Sequence, residues 1–155
     1  MPILDPIMAT KRREIQAEQA LLSWRELELQ VGEAPPTRSM RAAFLQASSE
    51  SPTTRILAEV KEASPSKGIL RSPFDACGLA KTYEENGAAA ISVLTDREYF
   101  KGSFERLKQV RSVTSIPVLA KEFVVDRWQL LRARAAGADC VLLIAAALSN
   151  PQILT

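Results

Sequence analysis

Apolar and polar positions along the 155-residue chain fall into two regimes. Over residues 9–31, Ile15, Leu22 and Leu29 recur at heptad spacing among charged residues, which predicts one amphipathic helix with Thr10 able to cap it and Gly32 able to end it. Pro35 and Pro36 break that pattern. A short helical stretch from Met40 to Ala47 follows, with Phe44 and Leu45 as anchors, and then a polar, serine-rich link through Pro52. From Ile56 onward the period changes. Four short apolar runs, over 56–60, 90–94, 116–120 and 140–144, alternate with helical patterns near 74–86, 103–113 and 126–136. Runs apolar on both faces and separated by helices of about three turns imply parallel strands covered by helices. Two junctions nearly repeat, Asn86-Gly-Ala-Ala-Ala-Ile91 and Ala136-Gly-Ala-Asp-Cys-Val141. Each places a glycine where a helix should end in the left-handed conformation before the next strand.

Serial strand-helix units of this kind either close into an eight-stranded barrel or open into a doubly wound sheet. Glu59, Lys61, Lys121 and Glu122 lie at or near strand ends that lead into helices, which is where barrel enzymes carry their active sites. No Gly-x-Gly-x-x-Gly follows the first strand, so a dinucleotide-binding sheet has little support.

Composition narrows the function classes. With 46% hydrophobic and 25% charged residues the chain suits a soluble globular domain, and its net charge of +2 is spread among interleaved acids and bases. No basic stripe points to nucleic acid. No apolar run approaches the ~20 residues needed to cross a bilayer, and the opening residues resemble no secretory signal, so a cytoplasmic location is expected. Cys77 and Cys140 stand far apart without a partner motif, which suits reduced thiols used for packing better than a disulfide or zinc site.

The chemistry concentrates in Ile56-Leu-Ala-Glu-Val-Lys-Glu-Ala-Ser-Pro-Ser-Lys-Gly68. Alternate side chains of a strand share a face, so Glu59 and Lys61 project together with Leu57, an acid and a base running into a loop. The plainer reading is an ion pair on a solvated edge strand. The Ser-Pro-Ser-Lys-Gly run likewise reads as an ordinary turn, compatible with a substrate loop. The chain has no histidine, so proton transfer falls first to lysine and glutamate.

Glu59-Val-Lys61 with Ala63-Ser-Pro-Ser-Lys-Gly68, Ala90-Ile-Ser-Val-Leu-Thr-Asp96 with Tyr99-Phe-Lys-Gly-Ser103, Pro117-Val-Leu-Ala-Lys-Glu-Phe123 and Gly137-Ala-Asp-Cys-Val-Leu-Leu-Ile144 occur in order. Together they resemble the indole-3-glycerol phosphate synthase family over roughly the whole chain. The resemblance implies a (β/α)8 barrel of TIM type preceded by a helical extension. It implies an enzyme of tryptophan biosynthesis, using no metal or organic cofactor, that closes the ring of 1-(2-carboxyphenylamino)-1-deoxyribulose 5-phosphate with loss of carbon dioxide and water. Lys121 matches the general acid on the substrate ketone. Lys61 matches the lysine that holds the substrate carboxylate and moves protons in the dehydration, and Glu59 matches its acidic neighbour. Ser64 and Phe100 match substrate-contacting loop positions, and Phe123 and Leu142 match apolar positions against the aromatic ring. Glu122 stands where the family usually has aspartate and is given no role. Lys67 joins Lys61 and Lys121 near one mouth, so repulsion among ammonium groups is expected. Lys121 also has a plainer reading as a strand-end lysine snorkelling to water, and Tyr99, Phe100 and above all Trp128 as core aromatics.

The same resemblance divides the chain into a helical extension over 1–52 and the first four βα units of a barrel over 53–155, the next helix starting near Pro151. Catalytic glutamates, an asparagine and the phosphate-binding loops would lie in the other half. The isolated chain is then expected to be inactive, and to need self-association or a complementary half-barrel to cover its open strand edges. Phosphoribosylanthranilate isomerase, another enzyme on this scaffold, is the alternative. It would place a cysteine near the end of the first strand, where Glu59-Val-Lys61 stands.

Overall fold

The computed structural model describes residues 3–45 and 54–148. The serine-rich link, the expected helix end at Ala47 and the expected helix start at Pro151 lie outside them. Four strands, β1 (Leu57–Val60), β4 (Ala90–Leu94), β5 (Val118–Lys121) and β6 (Cys140–Val141), form one parallel sheet in the order of the chain. Between β1 and β4 lie a small antiparallel hairpin, β2 (Ala63–Ser64) with β3 (Gly68–Ile69), and helix α4 (Ala76–Glu85). Helices α5 (Phe104–Val113) and α6 (Arg127–Ala135) make the next two crossovers. This is the strand-helix alternation that the apolar runs predict.

Strand ends move where the backbone demands it. The third run begins at Ile116, but Pro117 offers no N–H to a ladder, and β5 starts two residues into the run, at Val118. The fourth run yields only two residues of strand before the chain turns into a short 3-10 helix over Ala145–Ala147. Gly87 and Gly137 take φ of +86° and +91°, the left-handed helix ends expected of them. Every residue of β4 is buried, as a central parallel strand requires. Ile91 and Val93 from β4, Val118 and Ala120 from β5, and Leu107 and Val110 from α5 fill one core between sheet and helices.

The N-terminal region differs from the single helix that the heptad spacing predicts. It is two helices, α1 (Leu4–Leu21) and α2 (Trp24–Glu33), followed by α3 (Met40–Leu45). The break falls at Ser23. Its hydroxyl accepts from the Glu26 N–H at 3.2 Å while its own N–H donates to the Glu26 carboxylate at 2.8 Å, a reciprocal capping box that starts a new helix. Thr10 is therefore no cap; it lies buried inside α1, its hydroxyl 3.3 Å from the Tyr99 hydroxyl. Gly32 sits within α2, and Leu29 and Leu45 face solvent. Ile15, Leu27 and Trp128 form the second core instead, with Trp24 edge-on to Trp128 at 5.1 Å. Trp128 is thus a core aromatic joining α2 to α6. Removing its ring would cost about 3–5 kcal/mol. No helix among the described residues is long and apolar enough to cross a membrane.

Candidate active site

The C-terminal ends of β1 and β5 bring together three of the residues singled out in the sequence. β1 pairs with β4 and β4 with β5, which sets Glu59 opposite Ser92 and Lys121 opposite Leu94. From there the Glu59 carboxylate accepts a hydrogen bond from Lys61 on one oxygen and from Lys121 on the other. All three side chains are partly buried. Burial works to raise the Glu59 carboxyl, but the hydrogen bonds and charges of Lys121 and Lys61 outweigh it and hold the group below the ordinary carboxylate range. The repulsion expected between the two lysines is met by an anion placed between them.

Beside this triad opens a cavity of about 550 Å³. Lys61 and the turn Ser64-Pro65-Ser66-Lys67 form one wall, Phe100 and Phe123 another, and Ile3 and Ile7 from the N-terminal helical region a third. The two phenylalanine rings lie 5.9 Å apart and tilted by 34°, an apolar side suited to a flat aromatic group. Ser64-Pro-Ser-Lys-Gly68 is the turn expected, with the Lys67 N–H donating to the Ser64 carbonyl at 3.3 Å and Gly68 at φ +64°. Leu142 stands apart. It follows β6, half-buried, with its N–H on the Ala120 carbonyl at 3.2 Å, and it does not line the cavity.

The loop after β4 holds Phe100 in place through its own backbone. The Asp96 carboxylate accepts from the N–H groups of Tyr99 (2.7 Å) and Phe100 (3.0 Å), and Gly102 folds back so closely that a Cβ there would meet the Leu94 carbonyl oxygen at 2.2 Å. Arg106 ties the same loop to the first. Its guanidinium donates to the Lys101 carbonyl (2.6 Å) and to Glu62 (2.7 Å) and lies over the Phe74 ring.

Sequence reasoning missed one group entirely. Lys11 of α1 is buried, with Nζ 2.7 Å from Asp96, 2.7 Å from Glu14 and 3.4 Å from Glu122. Burial disfavours its charge, but Glu122, Asp96 and Glu14 prevail and push the ammonium above its ordinary range. Burial pushes the Glu122 carboxyl up, only partly offset by Lys11 and by hydrogen bonds from Thr95 and the Phe123 N–H. The one hint in the sequence is a lysine among residues that α1 buries, between Ile7 and Ile15. Cys77 and Cys140 are free thiols, and burial with the nearby Asp139 pushes Cys140 up to about 11.

Parallel strands in chain order with helices between them make an α/β fold of the kind that TIM-barrel families share, here with two lysines and a carboxylate gathered at the strand ends. The sequence pattern of indole-3-glycerol phosphate synthase matches residues 4–155. The chain is 47% identical over 154 residues to the indole-3-glycerol phosphate synthase of Rhodopirellula baltica, and 45% identical over 151 residues to that of Neisseria meningitidis serogroup B. These alignments take in 99% and 97% of this chain and 58% of each relative, so the chain spans rather more than half the length of the relatives it matches. The chain belongs to the indole-3-glycerol phosphate synthase family.

Proposed function

We propose that the chain contributes one side of the active site of an indole-3-glycerol phosphate synthase, acting on 1-(2-carboxyphenylamino)-1-deoxyribulose 5-phosphate. The observation that carries this reading is the Glu59 carboxylate bonded to both Lys61 and Lys121 beside a cavity walled by Phe100 and Phe123. The aromatic ring enters between Phe100 and Phe123. Lys61 binds the ring carboxylate. Attack of the ring carbon on the ketone forms the new carbon–carbon bond and develops charge on the ketone oxygen, which Lys121 protonates. Breaking the bond to the carboxylate expels carbon dioxide and restores electrons to the ring. Loss of the new hydroxyl as water, with Lys61 moving protons, completes the aromatic product. Glu59 keeps the two ammonium groups apart and oriented, and Ser64 contacts the substrate from the β2–β3 turn.

Eight-stranded closure would set further strands against the outer edges of β1 and β6, and the phosphate grip belongs to those further units. Residues 53–155 then act as one half of a barrel and residues 1–52 as its helical extension. A second copy or a complementary half-barrel would serve as the covering partner. The test is single-turnover formation of indole-3-glycerol phosphate by the protein, alone and mixed with the remaining segment of the Rhodopirellula baltica relative. We expect Lys121→Ala to lower the single-turnover rate about a thousandfold. Turnover unaffected by Lys121→Ala sinks the assignment.

A further inference from the structure

α1 buries a charged group that the proposed reaction does not use. Ile3, Ile7 and Lys11 recur every four residues and so share one side of the helix. The first two wall the cavity, and Lys11, 3% exposed, lies outside its lining, against the carboxylates of Asp96 and Glu122. Two of the carboxylates it meets each hold a backbone segment that carries a cavity aromatic. Asp96 Oδ1 takes the N–H groups of Tyr99 and Phe100. Glu122 Oε1 takes the Phe123 N–H at 2.9 Å, and Oε2 takes the Thr95 hydroxyl at 2.8 Å. Asp96 Oδ2 meets the Lys11 ammonium at 2.7 Å and no other donor among the described residues.

Remove the ammonium, and two buried carboxylates face one another with nothing between them. Parting the segments after β4 and β5 relieves that repulsion, and parting them separates Phe100 from Phe123. We propose that Lys11 is a positioning residue: by binding Asp96 and Glu122 to one ammonium, it fixes Phe100 and Phe123 at the spacing an aromatic substrate ring needs. The N-terminal helical region is then a working part of the site as well as a cover for the fold. The ligand half of this inference rests on the proposed substrate; the loop half rests on geometry alone.

The experiment compares wild type with Lys11→Met, whose apolar chain fills the same space. It reads amide hydrogen exchange residue by residue, and binding of N-methylanthranilate by that probe's fluorescence. We expect exchange at Tyr99, Phe100 and Phe123 to quicken about tenfold, with the amides of Arg38 and Val118 at the far end of the sheet changing less than about twofold. N-methylanthranilate should bind about tenfold more weakly. Equal quickening at all five amides means that Lys11 serves general stability, and overturns the proposal; so does no change at Tyr99 and Phe100. Should Lys11→Met alone not fold, Lys11→Met/Glu122→Gln against Glu122→Gln gives the same comparison with one buried carboxylate fewer. Failure of the wild-type protein to take up N-methylanthranilate overturns the substrate reading, and the exchange pattern then decides the role of Lys11.

Discussion

The sheet is gripped at each end by a buried charged cluster, and the two are built to different rules. At the N-terminal ends of the strands, Asp139 accepts from the Arg38 N–H (2.8 Å), the Val118 N–H (2.8 Å) and the Arg111 guanidinium (3.3 Å). Arg111 also donates to the carbonyls of Gly137 (3.1 Å) and Pro36 (3.0 Å), and the Arg38 guanidinium rests on the Ile116 carbonyl (2.9 Å). The hydrogen bonds of the Asp139 carboxylate close there, while two guanidiniums share that one carboxylate and burial, with the Arg111 charge, pushes the Arg38 guanidinium down. At the other end one ammonium, Lys11, answers Asp96, Glu122 and Glu14, and the Glu122 carboxyl is pushed up in consequence of its burial. Both clusters fasten the N-terminal region to the sheet, one through the Pro35–Arg38 segment and one through α1. A carboxylate saturated with donors from three segments suits the end that only has to hold. The acid-rich end lies under the segments that carry Phe100 and Phe123, and its balance sets where they rest.

The largest effect should come from breaking the compensated end. Asp139→Ala strands a buried guanidinium and the N–H groups of Val118 and Arg38, and should destabilise the protein by about 3–5 kcal/mol in urea unfolding. Exchange at Tyr99 and Phe100 should rise only as global stability falls. A loss below about 1 kcal/mol would show that the cluster is no clamp. Next is Gly102→Ala, whose added Cβ would lie 2.2 Å from the Leu94 carbonyl oxygen and 2.9 Å from that of Asp96. Backbone on that side cannot yield as a flexible side chain could, so the loop must shift. We expect about 1–3 kcal/mol of destabilisation with weaker N-methylanthranilate binding. Unchanged binding would mean that the site tolerates a displaced Phe100.

What the sequence shows, and what it hides, follows the range of each interaction. The strand-helix alternation is legible because buried parallel strands are written as local apolar runs, and Gly87 and Gly137 because a left-handed helix end asks for one residue type at one place. Glu59 and Lys61 are legible as a pair because a strand's period puts them on one face, whereas Lys121 is legible only as a strand-end residue, since its contact with Glu59 comes through two strand pairings. The α1–α2 break was legible in principle, since Ser23-Trp-Arg-Glu26 spells a capping box, but the heptad spacing of Ile15, Leu22 and Leu29 spoke for one helix. Leu27, not Leu29, took the core place, because the second helix starts its own phase at Ser23. Lys11, Asp96 and Glu122 come from three distant segments, and no local pattern marks a contact that exists only once α1 docks.

The smallest effect tests the contrast most directly, through pH. Because the Glu122 carboxyl is raised in the folded state, that state binds its proton more readily than the unfolded chain does. Its contribution to stability is therefore full below the ordinary value of 4.5 and is lost as pH rises through the raised value. Glu59 has the opposite sign: held low by its lysines, it contributes above the ordinary value and loses that contribution as pH falls through its lowered one. Glu122→Gln removes the first slope and leaves the second. Urea midpoints of variant and wild type, measured in steps upward from about pH 4, should show the variant gaining on wild type as pH rises and then holding a constant lead. A lead that does not change with pH would mean that Lys11 compensates Glu122 as fully as the arginines compensate Asp139. The acid-rich end would then be a second clamp, and the loops above it would owe their positions to packing alone.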